Sequence, residues 1–107
     1  MSLNERSIAP PPPNVMAYST NTILAVKNAP KNLGNTLGRL AVQLDFSVVR
    51  LSKATGATRQ TVYNWFMGGE VLGAYKPRVE RVVEILRAAR SADTAWAQIC
   101  KEFNLQA

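Results

Sequence analysis

The sequence predicts an all-α domain of five helices behind an extended N-terminal arm. From Leu33 onward, apolar residues recur at intervals of three and four, the period of a helix with one buried face. Residues that start and stop helices stand between those stretches. After Leu33 no stretch alternates apolar and polar residues as a half-buried strand does.

Residues 1–31 read as a flexible arm. Pro10 to Pro13 is an unbroken proline run, which excludes helix and favours an extended polyproline conformation. Ser19, Thr20, Asn21 and Thr22 follow. Ile23 to Val26 is apolar enough to pack as a single turn or strand, and Pro30 closes the segment. The helical domain then occupies residues 32–107. Its first helix carries Leu33, Leu37, Leu40, Ala41 and Leu44 on one stripe, with Asn35 as the expected N-cap. Asp45 and Phe46 break the pattern. Ser47 caps a second, short helix to about Thr55, with Val48, Leu51 and Ser52 facing inward. Gly56 stops it, because glycine takes the left-handed conformation a helix end favours.

Thr58 caps a third helix, Arg59 to Met67, whose apolar side is Val62, Trp65 and Phe66; Gly68 and Gly69 end it. A loop through Val71, Leu72 and Tyr75 leads to Pro77, a residue suited to a first helical turn. The fourth helix runs to about Arg90 and carries Val79, Val82, Val83, Leu86 and Ala89 on one face. Ser91 or Asp93 caps the fifth, with Trp96, Ile99, Cys100 and Phe103 at helical spacing.

Composition narrows the function. The chain has 107 residues, 47% of them hydrophobic, enough for one small core. No apolar run approaches the ~20 residues that span a bilayer, and no basic start precedes an apolar stretch as in a secretory signal. A cytoplasmic protein with no membrane partner is expected. Histidine is absent and Cys100 is the one cysteine. That inventory removes the common zinc sites and the Ser-His and Cys-His nucleophile pairs, so an enzyme, a metal and a cofactor are not expected; a chain this short leaves no room for a separate effector domain, so no small-molecule ligand is expected either. The net charge is +6 and the pI about 10.0. Most of the cations lie between Lys31 and Arg90, where the acids are only Asp45, Glu70, Glu80 and Glu84. Such a balance favours a polyanionic partner.

The informative stretch is Val48 to Met67, VVRLSKATGATRQTVYNWFM. Two helices that meet steeply across a short turn need a small residue at their close approach, a residue tolerant of positive φ at the turn, and apolar residues between them. Ser52, Gly56, and Leu51, Ala57, Val62 and Trp65 meet those needs in turn. The pattern resembles the helix-turn-helix of the lambda-repressor-like (Cro and Xre type) regulators of bacteria and phages. The likeness is close over Val48 to Met67 and extends loosely to about Ala89. Thr55 departs from it, being polar where that family often has an aliphatic residue, which implies looser packing there; Ser52 stands for the more usual alanine.

The third helix leaves Arg59, Gln60, Thr61, Tyr63 and Asn64 outward. In a helix-turn-helix this surface enters the major groove of duplex DNA. Arginine fits guanine O6 and N7, and Gln or Asn fits adenine N6 and N7. The resemblance thus implies base contacts from Arg59, Gln60, Tyr63 and Asn64, with Tyr63 alternatively on a thymine methyl or a phosphate. Phosphate contacts are expected from Ser47, Arg50, Lys53, Thr58 and Lys76, partly through helix N-termini. Arg81, Arg87 and Arg90 read as a solvated face partly paired with Glu80 and Glu84. Trp96, Phe103 and Leu105 either close the domain's own core or form a homodimer interface that sets two reading helices ~34 Å apart. The expected function is a small sequence-specific transcription regulator. The alternatives are a DNA-binding or adaptor protein for replication, recombination or packaging, or a protein-interaction module without nucleic acid.

Overall fold

The computed structural model describes residues 17–106, and the proline run at Pro10 to Pro13 lies outside them. The described residues form helices without strands: α1 (Thr20–Asn28), α2 (Leu33–Leu44), α3 (Val48–Thr55), α4 (Arg59–Phe66), α5 (Lys76–Ala88) and α6 (Ala92–Phe103). The described residues are all-α, with six helices rather than the five expected.

The additional helix is α1. Ile23 to Val26 belongs to it, rather than to a lone turn or strand. Ser19 caps α1 by accepting from the Thr22 N–H. The chain before it is also held. Ala17 N–H donates to Asp45 Oδ1 at 2.6 Å, and the buried Tyr18 hydroxyl donates to the carbonyl of Phe46. Burial, with Tyr63 and Asp45 adding to it, keeps that phenol protonated far above its ordinary range.

Helix α2 packs against α1, α4 and α5, while α3 packs against α4, α5 and α6. Between them lies one core built on Leu37, Phe46, Leu51, Val62, Phe66, Val79, Val82 and Ile99, all fully or almost fully buried. The crossing of α2 with α4 is close because glycines face it. A Cβ on Gly34 would stand 2.7 Å from the Trp65 carbonyl oxygen, and one on Gly38 2.7 Å from Phe66 Cγ.

The cap of α2 differs from expectation. Asn32, not Asn35, accepts from the Asn35 N–H at the helix start. Asn35 is itself fully buried. Its Nδ2 donates to the carbonyls of Val26 (2.9 Å) and Phe66 (2.8 Å), and its Oδ1 accepts from Arg39 Nε at 2.7 Å. A capping residue type has been used as a buried tie between the ends of α1 and α4, which tertiary packing rather than local propensity decides.

The turn between α3 and α4 follows the sequence pattern. Ser47 and Thr58 cap their helices by accepting from the N–H groups of Arg50 and Thr61. Gly56 ends α3 at φ 80°. Thr55 does not loosen the packing: it is buried, its hydroxyl donates to the Leu51 carbonyl at 2.8 Å and accepts from the Ala57 N–H at 3.3 Å. Ser52 likewise donates to the Ala57 carbonyl. The two hydroxyls satisfy turn backbone groups that an aliphatic pair would leave to water. Nothing stands within 4 Å of a Cβ built on Gly56, so Gly56→Ala carries only the left-handed strain. It is expected to cost about 1 kcal/mol, read as a lower midpoint of urea unfolding.

The C-terminal apolar residues turn inward. Trp96 is buried against Phe46 with ring centroids 6.1 Å apart. Phe103 is partly buried beneath the Arg78 guanidinium, 4.5 Å away, and Cys100 is buried. Ser91, not Asp93, caps α6.

Candidate nucleic-acid interface

Helix α4 has two unlike faces because residues three and four apart share a side at 3.6 residues per turn. Val62, Trp65 and Phe66 are buried, and Trp65 also meets Tyr75 edge-on at 5.4 Å. Arg59, Gln60 and Asn64 are exposed on the other side. Tyr63 shares that side but is only half-exposed, its ring set edge-on to Phe66 at 5.9 Å. The outward surface is therefore two amides and a guanidinium around a partly embedded phenol. Met67, 39% exposed, extends the same face by one more turn position.

Gln60 and Asn64 touch each other. Gln60 Nε2 donates to Asn64 Oδ1 at 3.1 Å, a spacing of four that brings side chains together on a helix. Arg59 makes no ion pair among the described residues.

The helix starts supply the second element. Ser47 Oγ and Thr58 Oγ1 each serve the third N–H of their helix. That leaves the amides of Val48 and Val49 in α3, and of Arg59 and Gln60 in α4, without intrahelical acceptors, a standing preference for anions. Lys53 is exposed on α3. Lys76 opens α5 and borders a shallow cleft of about 230 Å³ with Asn32, Leu33, Gly68, Glu70 and Val71.

Arg50 is not gathered with these groups. Its guanidinium pairs with Asp93 at 3.1 Å and lies against the rings of Trp96 and Phe46, 5.4 and 5.9 Å from their centroids. It clamps α3 to α6. Other arginines are similarly occupied. Arg39 also donates to the Lys27 carbonyl at 2.6 Å, and Arg78 donates to the Ala54 carbonyl at 3.0 Å. Arg81 holds Glu102 and Glu84, and its hydrogen bonds, with one from Gln98, draw the Glu102 carboxyl down to about 2. Among the described residues Lys53, Arg59 and Lys76 enter no ion pair.

Asn35, which the sequence pattern offered as a cap, and Asn32, to which it gave no role, both position α4. Asn32 Nδ2 donates to the Gly68 carbonyl at 2.7 Å, so the last turn of α4 is held at Phe66 and again at Gly68. The signal for Asn35 was its place among Gly34, Leu37, Gly38 and Ala41, the face of α2 that is buried.

Among the described residues no three potential metal ligands come together, and no helix is long and apolar enough to cross a membrane. Compared with protein-family models, with curated proteins and with solved structures, the chain shows no significant match.

Proposed function

We propose that this chain is a sequence-specific duplex DNA-binding protein, with α3 and α4 as a lambda-repressor-like helix-turn-helix and α4 in the major groove. It would act as a small bacterial or phage transcription regulator by occupying an operator, without a cofactor. The observation that carries the reading is the exposed Arg59, Gln60 and Asn64 on a helix whose opposite face is locked into the core. Base edges in the major groove require that combination of polar reach and rigid support. Ser47, Thr58, Lys53 and Lys76 supply phosphate contacts through uncapped amides and bare ammonium groups. Arg50 contributes by holding α3 in place instead.

The test is selection of bound sequences from a random duplex library at moderate salt. Enrichment of one motif supports the regulator, and a two-fold repeated motif adds a homodimer. Retention without enrichment moves the function to replication, recombination or packaging. Loss of retention from a folded sample leaves a protein-interaction module. On the enriched site Arg59→Ala is expected to weaken binding by roughly 1–3 kcal/mol without changing the melting temperature. Unchanged affinity would remove Arg59 from the base contacts.

A further inference from the structure

The contact between Gln60 and Asn64 changes what each can offer a base. A primary amide carries one acceptor oxygen and two N–H donors. A lone Asn or Gln reads adenine by presenting both ends at once, accepting from N6 and donating to N7. Here the Asn64 oxygen faces the Gln60 amide nitrogen at 3.1 Å. The bridge leaves Asn64 Nδ2 and Gln60 Oε1 wholly free to turn outward, while Gln60 keeps one N–H and Asn64 Oδ1 one lone pair. The two free groups belong to side chains four residues apart, about 6 Å along the axis of α4, a spacing that suits neighbouring bases. Both side chains are exposed, and no other side-chain hydrogen bond engages either among the described residues.

We propose that Gln60 and Asn64 act as one reader of a purine step that contains adenine. Asn64 Nδ2 donates to the N7 of one purine, and Gln60 Oε1 accepts from the N6 amine of the adenine beside it. The bridge fixes which end of each amide faces the groove, so each residue orients the other as well as touching DNA. This rests on the duplex-binding reading above and adds the base class and the coupling.

The experiment measures the affinity of the full chain for its selected duplex, as wild type, Gln60→Ala, Asn64→Ala and the double variant. Each is repeated on duplexes in which single adenines or guanines become their 7-deaza analogues, which lack N7, or single adenines become purine, which lacks the N6 amine. Each single variant should lose about tenfold or more, and the double variant little more than either alone. One 7-deaza substitution should weaken the wild type but not Asn64→Ala, and one N6 deletion should weaken the wild type but not Gln60→Ala. Losses that multiply in the double variant would overturn the coupling, and single variants that bind like wild type would overturn the reading of bases by this pair. If Arg59→Ala still weakens binding in that case, the DNA-binding reading stands and the amide pair alone fails. A wild-type chain that retains no duplex overturns both. Unchanged thermal melting of the variants separates these effects from misfolding.

Discussion

Asn35→Ala is expected to lower the stability of the fold by about 3 kcal/mol, the sum of one or two unmet buried acceptors and a small cavity. The Phe66 carbonyl has no partner other than Asn35 Nδ2 among the described residues. The Val26 carbonyl would keep only the long bond from the Ala29 N–H, 3.3 Å. Arg39 would lose the acceptor of its Nε as well. Asn35→Asp should also destabilise, because a carboxylate offers no donor to either carbonyl; its ion pair with Arg39 offsets part of that loss. Urea unfolding monitored by tryptophan fluorescence reads both variants. A loss below about 1 kcal/mol for Asn35→Ala would mean that water replaces the amide at little cost and that the tie between α1 and α4 is dispensable.

Gly34→Val is expected to cost about 3 kcal/mol, with Gly34→Ala near half of that. The first added carbon already lies 2.7 to 2.9 Å from the carbonyl oxygen, Cβ and Cα of Trp65. Two of those atoms are backbone, so relief requires α2 and α4 to move apart rather than a side chain to turn. Alanine gains up to about 1 kcal/mol of helix propensity over glycine, which offsets part of the clash; valine gains less and is stiff at its branched carbon. Gly73→Ala is the control, since nothing lies within 4 Å of the added carbon there. Equal stability of Gly34→Val and the parent chain would mean that the helix crossing is not tight.

These two positions mark where reading the sequence stopped. Helices α2 to α6 were legible because each has its own apolar period and its own punctuation: Ser47, Gly56, Thr58 and Pro77 act locally, and local chemistry can be read from neighbours. Helix α1 was not legible. It buries only Val26, and its polar start resembles the loop residues before it. Asn35 was misplaced for a related reason. An asparagine near a helix start looks like a cap, and only the arrival of α1 and α4 from elsewhere makes it a buried tie. On the candidate interface, helical spacing was enough to separate Arg59, Gln60 and Asn64 from Val62 and Trp65. It could not show that Arg50 faces Asp93 from α6, forty-three positions away, or that Tyr63 is half drawn into the core against Phe66.

The arginines and lysines of this chain answer to different demands. Arg39, Arg50, Arg78 and Arg81 are fastened to carbonyls, carboxylates or rings within the domain, which a planar fork does better than an ammonium group. Lys53 and Lys76 make no ion pair or side-chain hydrogen bond among the described residues. Substitution at the two lysines therefore changes the surface charge without touching the fold, whereas exchange of the clamped arginines for lysine alters stability first. Surface charge and stability are thus set by different cations, one kind free in solvent and the other built into the domain's joints.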